Sequence, residues 1–391
     1  MQKNKQPFNF DEIINRRETD SLKWAIGDDP TVLPMWIADM DFKTAPAITE
    51  ALIKKVNEGI FGYPSLPKEF NTAIESWWEK RHNFQLDQQW IVPAEGAESA
   101  ISAAISTLAS AGNGVIIQTP VYNHFFTMIE NCGCRIVENP LINTNGNYQI
   151  DFYDLEQKAA DPNTNLLLLC NPHNPVGRVW AKEELEKIAS ICSKNNVAII
   201  SNEVYADLSY FHHTPFLSLS NSSQVRGLSC SSPGKPFNLS GLKVAYLLAP
   251  DPILRENIAK SLALSGGETI SSFGTTALIA AYNEGEEWLK ALKNYLKGNF
   301  DYLQNFLNEQ IPEITVSPMQ ATYLVWLDCR KLKKPSIELQ QELLIKGKLW
   351  VNAGTLYGMK GEGFLRLNIA CPRSLLIKCL NLLHECYGQG S

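Results

Sequence analysis

The sequence predicts an α/β protein: a large unit on a mainly parallel sheet with helices on both faces, and a smaller α/β unit beside it. Three observations lead there. Between about residues 90 and 250, short apolar runs alternate with helix-periodic stretches, as successive strand–helix–strand units do. Two of those runs, Leu166–Cys170 and Val197–Ser201, are almost wholly apolar, which suits strands buried on both faces. With 391 residues, 45% of them hydrophobic, the chain is long enough for a large core and a second unit.

Residues 1–44 read as irregular, with Pro30 and Pro34 as breakers and Pro46 just beyond. A helix follows at about Ala45–Glu58, where Ile48, Leu52, Ile53 and Val56 recur at helical spacing. Gly59 to Pro67 reads as a loop, and helix resumes over Ala73–Arg81 with Trp77 and Trp78. Strands are expected at Val115–Ile117, Cys134–Val137, Leu166–Cys170, Val197–Ser201, Gly227–Cys230 and Val244–Leu248, with a helix at Ser99–Ala109. Beyond residue 250 come helical stretches at about Ile253–Ser261 and Thr275–Leu307, strands near Tyr323–Leu327 and Phe364–Asn368, and a closing helix at about Arg373–Cys386. There is no repeat, low-complexity tract or long linker. The expected division is a large unit at 45–285 and a smaller one assembled from 1–44 and 286–391.

Charge and composition exclude several classes. The net charge is −6 with both signs interspersed, so no basic footprint for nucleic acid exists. The start, Met1–Gln6, lacks the apolar core of a secretion signal, and no run of about 18 apolar residues suggests a membrane span. Nine cysteines are scattered, Cys132 and Cys134 have no second pair at metal-ligand spacing, and the six histidines do not cluster. Reduced thiols in a cytoplasmic protein without a metal are expected.

The polar residues that interrupt the apolar runs carry the chemistry. Leu166–Cys170 ends in Asn171-Pro172-His173-Asn174-Pro175-Val176-Gly177, and Val197–Ser201 ends in Asn202-Glu203-Val204-Tyr205. About thirty residues later, Lys235 stands in the turn Ser231-Ser232-Pro233-Gly234-Lys235-Pro236-Phe237-Asn238-Leu239. Parallel strands that deliver polar residues at their carboxyl ends, followed by a turn lysine, can surround a flat aromatic cofactor. Gly96-Ala97-Glu98 opens a helix, and small residues there either cap it or let its N–H groups hold a phosphate. The Gly234-Lys235 pair lacks the rest of a nucleotide-binding P-loop. Arg366 lies in the otherwise apolar Phe364–Asn368; buried there it needs an anion, either a structural acid or a substrate carboxylate.

This order and spacing resemble the aspartate-aminotransferase superfamily of pyridoxal-phosphate (PLP) enzymes. Further motifs narrow the resemblance to the MalY/PatB-type cystathionine β-lyases: Pro34-Met35-Trp36-Ile37-Ala38-Asp39-Met40-Asp41-Phe42, Cys170–Trp180, Phe237–Leu242, Thr322–Asp328 and Leu365–Arg373. They run from residue 34 to 373, nearly the whole chain. The resemblance implies PLP fold type I, the aspartate-aminotransferase-like architecture. Lys235 would bond the cofactor covalently and serve as general base. The phosphate would be held by Gly96, Ala97 and Glu98 at the helix start, with Ser232 and Lys243. Tyr122 would stack on the cofactor ring, Asn174 and Tyr205 would bond its hydroxyl, and Asn202 would face its nitrogen. Arg366, with Asn174, would hold the substrate carboxylate. Tyr63 would reach a neighbouring subunit's phosphate, so a homodimer with sites at the subunit interface is implied.

Three positions depart from the family pattern. Asn202 stands where relatives carry aspartate, Pro236 follows the lysine, and Glu95 and Glu98 bring two carboxylates to the helix start. Those acids are either solvated or, with Asp39 or Asp41, receive a cationic substrate side chain. Carbon–sulfur β-elimination is the family default. The alternatives are γ-elimination, replacement or cyclisation on a cationic amino acid, transamination, and a non-catalytic regulator.

Overall fold

The computed structural model describes residues 8–25, 29–219, 226–267 and 269–388; the Met1–Gln6 segment lies outside them. Seven strands form the main sheet: β1 (Ile91–Ala94), β2 (Gly114–Ile117), β3 (Arg135–Glu138), β4 (Thr164–Cys170), β5 (Ala198–Asn202), β6 (Gly227–Ser231) and β7 (Ala245–Leu248). Their order is β1-β7-β6-β5-β4-β2-β3. All neighbours are parallel except at β7, which is antiparallel to both β1 and β6.

Alternation of side chains across the pleat builds two cores from one strand. Leu166 and Leu168 of β4 pack with Ala100, Ile101 and Ala104 of the helix Ala97–Leu108. Leu167 and Leu169 pack on the other face with Leu185, Ile188 and Ala189 of the helix Lys182–Lys194. Each buried leucine contributes about 1.5–3 kcal/mol, and all four are fully buried. The expected sheet with helices on both faces is therefore present, and all six expected strands form within a few residues. The seventh, β1, is an edge strand containing Pro93, and proline is tolerated only there.

A smaller antiparallel sheet comprises β8 (Thr315–Val316), β9 (Leu324–Asp328), β10 (Asn352–Ala353) and β11 (Phe364–Asn368), ordered β8-β9-β11-β10. Residues 1–44 were expected to be irregular, but Leu33–Pro34 pairs in parallel with Leu349–Trp350 and joins the two chain ends. The helix expected over Thr275–Leu307 is two helices, Ser272–Glu284 and Glu286–Gln310. They meet at Gly285, where a Cβ would lie 2.4 Å from the Ala281 carbonyl oxygen and 2.5 Å from the Phe237 ring. No side chain fits there, yet the apolar periodicity runs on through the break.

Among the described residues no helix is long and apolar enough to cross a membrane. All nine cysteines are free thiols.

Candidate active site

The register of the parallel strands sets the site. Cys170 lies level with Asn202, and Asn202 level with Cys230, so β4, β5 and β6 end along one rim. Ligands in open α/β sheets bind at such carboxyl ends. A cavity of about 500 Å³ opens there. Gly96, Ala97, Glu98, Tyr122, Asn174, Asn202, Tyr205, Ser232, Lys235 and Lys243 all line it.

Lys235 follows β6 in a turn held from both sides. The Ser232 hydroxyl donates to the Val244 carbonyl at 2.7 Å and accepts from the Gly234 N–H at 2.9 Å. Asn238, in the left-handed region at φ 58°, donates its amide to the Met40 carbonyl and accepts from the Met40 N–H, both at 3.0 Å. The Lys235 amine donates to the Ala38 carbonyl at 3.0 Å. Burial, then the positive charge of Arg366, pushes its pKa down to about 8, against the pull of Asp39 and Glu98. A lysine so placed is a far better nucleophile and base near neutrality than an exposed one.

Tyr205 is buried, and among the described residues its hydroxyl has at best the nearby Tyr323 hydroxyl, which already donates to the Ala38 carbonyl, and no hydrogen bond of good geometry. A buried polar atom left so is costly, and here it lines the cavity. Burial holds that hydroxyl protonated, well above the ordinary phenol range. Asn202 accepts from the Val204 N–H at 3.3 Å through its side-chain oxygen. The helix Ala97–Leu108 starts after Gly96, whose φ of 87° suits glycine, and no side chain caps it. Its first N–H groups are therefore available to an anion at the cavity wall.

The carboxylates near the helix start are committed. Glu98 accepts from the Tyr122 hydroxyl at 2.6 Å and bonds His124 Nδ1 at 2.7 Å. Burial, with Glu98 beside it, keeps the Tyr122 hydroxyl protonated. Glu95 lies 4.0 Å from the exposed Lys243 amine. Asp39 does not line the cavity. Its carboxylate meets Arg16 at 2.8 Å and Lys23 at 3.7 Å, and Asp41 is held by the same two cations. Those pairings engage the carboxylate that was expected to meet a substrate cation.

Arg366 is buried in the middle of β11, opposite Trp326 and Asn352. Its Nη1 donates to the Asn174 side-chain oxygen at 3.1 Å and its Nη2 to the Trp36 carbonyl at 2.8 Å. The guanidinium stands 4.7 Å over the Tyr357 ring, and Nε has no partner. It forms no ion pair among the described residues, so the expected anion is not a protein acid. Tyr63 is fully exposed and lies outside this cavity.

The sequence reading missed the main-chain carbonyls of Trp36 and Ala38, the Tyr357 ring, and His124. Carbonyls leave no residue signature. His124 stands two residues beyond Tyr122, and its distance along the chain from Glu98 offered no local signal.

The class I and II aminotransferase family matches residues 30–380. The cystathionine β-lyase PatB of Bacillus subtilis is 39% identical over 375 residues, covering 94% of this chain and 97% of that protein. Protein MalY of Escherichia coli is 35% identical over 379 residues, covering 95% and 96%. Among solved structures, cystalysin from Treponema denticola, which contains a pyridoxal 5′-phosphate cofactor, superposes with a TM-score of 0.93 at 32% identity. That match covers 97% of this chain and 98% of cystalysin. A turn lysine at the strand ends, an uncapped helix start and a buried unpaired arginine thus sit in a chain that belongs to the MalY/PatB-type cystathionine β-lyase branch of the class I and II aminotransferase family.

Proposed function

We propose that the chain is a PLP-dependent lyase that eliminates a sulfur leaving group from the β-carbon of an amino acid. The observation that carries this reading is the pairing of Lys235, an amine pushed down to about 8, with Arg366, a buried cation with no acid partner among the described residues. The residues fit the cofactor. The Tyr205 hydroxyl, without a hydrogen bond of good geometry, and the open helix start at Gly96 each await a partner, and Ser232 and Lys243 line the same cavity. When bound, PLP supplies an aldehyde for the amino group and a ring that withdraws electrons from the α-carbon.

The chain's own residues do the rest. Ala97 and Glu98 N–H groups, Ser232 and Lys243 would hold the phosphate, Tyr122 would face the ring, and Asn174 and Tyr205 would bond its hydroxyl. Asn202 offers the ring nitrogen a neutral partner where a carboxylate would hold it protonated. Arg366 fixes the substrate carboxylate through a charge-assisted contact. Lys235 would hold the cofactor until the substrate amine takes its place, and the amine so freed would then be placed to take the proton from the α-carbon as the sulfur group departs from the β-carbon. The reading of a cationic substrate loses its handle, because Glu98, Asp39 and Asp41 are already bonded and Glu95 faces Lys243.

We further infer a homodimer with the site at the subunit interface. Ile60, Phe61 and Tyr63 form an exposed, largely apolar stretch that a second copy would cover. The break at Gly285 and the pairing of Leu33–Pro34 with Leu349–Trp350 support a large unit at 45–285 and a smaller one from both chain ends. Nine free thiols fit the reducing cytoplasm.

The holoenzyme incubated with L-cystathionine should release homocysteine, pyruvate and ammonia in equal amounts. Consumption of a keto acid without thiol release makes the chain an aminotransferase. Binding of PLP without turnover of any amino acid makes it a regulator.

A further inference from the structure

The segment Trp36–Met40 belongs to no strand, yet nearly every carbonyl in it is engaged by a side chain of or beside the site. Trp36 accepts from Arg366 at 2.8 Å and Asn352 at 3.0 Å. Ala38 accepts from Lys235 and from the Tyr323 hydroxyl, both at 3.0 Å. Ile37 and Asp39 share the Asn368 amide at 2.6 Å each. A shift of this strap would move the lysine and the arginine together.

Main-chain hydrogen bonds pin only its flanks, from the Met35 N–H to the Trp350 carbonyl and from the Asp41 N–H to the Ala370 carbonyl, so side chains must hold what lies between. On its outer side Arg16 bridges Asp39 and Asp41, at 2.8 Å each, and bonds the Met40 carbonyl at 3.0 Å. Lys23, with no side-chain exposure, reaches Asp41 at 2.8 Å, and the Trp24 indole donates to the same carboxylate at 2.8 Å. Two cations and two anions close on themselves, and the Trp36 indole reaches back to the Lys23 carbonyl at 3.3 Å. Lys23 and Asp41 are buried while Arg16 and Asp39 are partly exposed, and ion pairs so placed add little net stability.

We propose that Arg16 and Lys23 are positioning residues. They clamp Asp39 and Asp41 so that the strap's carbonyls seat Lys235 and Arg366 at the spacing an amino acid needs. The proposal rests on the reading of Lys235 and Arg366 given above.

Three variants test it. Arg16→Met removes the fork at a partly exposed position, Arg16→Lys restores the charge, and Lys23→Met with Asp41→Asn removes one buried pair without leaving a lone charge. In each that folds, amide exchange of residues 36–41 is measured without cofactor. In the PLP-loaded protein, the pH midpoint of the visible absorption change and the KM and kcat for L-cystathionine are measured.

Arg16→Met should speed exchange of the strap, displace the pH midpoint, and raise KM roughly tenfold with a smaller loss in kcat, as a displacement well under 1 Å would. Arg16→Lys should recover part of each. A lowered melting temperature alone, with exchange, midpoint and KM unchanged, would reduce the cluster to a structural role and overturn the proposal. If the unmutated protein itself shows no PLP absorption, the reading of the site fails first, and the two failures are told apart by that control.

Discussion

The floor and the roof of the cavity are built on opposite terms. The floor, at the ends of β4, β5 and β6, presents groups that are poised: the Tyr205 hydroxyl has no hydrogen bond of good geometry, and the Lys235 amine has lost much of its hold on a proton. The roof, the strap at Trp36–Met40 together with β11, touches the lining only through Lys235 and Asn174 and presents groups mostly already bonded, with Arg366 engaged at both Nη atoms and Asp39 at both oxygens. Strand ends fixed by the sheet, and a turn tied down by Ser232 and Asn238, can leave groups open to a ligand. A strap outside any sheet must use its polar atoms to stay in place. On the function proposed above, the floor would supply reactivity and the roof selection.

The sharpest way to break that comparison is Lys235→Ala. Loss of the general base alone should cost on the order of 10²–10⁴ in turnover, and the borohydride-trapped adduct should vanish from the mass spectrum while the fold persists. Retained turnover would move the chemistry off the floor.

Arg366→Ala should spare cofactor binding and weaken amino-acid binding by roughly 2–4 kcal/mol, about 30- to 1000-fold, the usual cost of removing one partner of a buried charge contact. Titrating both ligands separately checks this. Equal loss of both would make Arg366 part of the floor.

The depressed pKa of Lys235 gives a pH test of the ligand-free protein. The lysine reacts as the neutral amine, so the rate of cofactor capture should rise roughly tenfold per pH unit up to about 8 and then level off. A rise continuing to the ordinary lysine range near 10.5 would show that burial and Arg366 do not act as described.

The smallest effect belongs to Asn202→Asp. A carboxylate there would favour a protonated ring nitrogen, and a change worth about one pKa unit corresponds to roughly tenfold in the protonated fraction. Nitrogen NMR of bound, isotopically labelled cofactor reads it directly, and an unchanged shift would place control of that proton elsewhere.

What could be seen in the sequence follows the same division. Strands buried on both faces announce themselves as apolar runs, and the polar residues just beyond them can be read off as a rim. That is why Asn174, Asn202, Tyr205 and Lys235 were visible. The edge strand β1, the exposed hairpin Ile142–Thr144 with Asn147–Gln149, and the two-residue pairing at Leu33 lack any such run. The roof was only half legible. Arg366 stood out because a charge in an apolar strand is anomalous, but Ala38 acts through its backbone. Asp39 could be recognised as a carboxylate, whereas its engagement by Arg16, 23 residues away, is a property of the folded chain.

The pairing of Leu33–Pro34 with Leu349–Trp350 has a consequence for how the protein is made. On the ribosome, Lys235 emerges well over a hundred residues before Arg366, and the strap waits for β11 from the moment it is translated. Lys235 waits as well, because Arg366's charge helps push its amine down to about 8. A chain stopped short of residue 364 would keep the lysine turn and lack both that charge and the β11 side chains that bond the strap's carbonyls. Completion of translation is thus the step that brings the depressed amine and the buried arginine into being together.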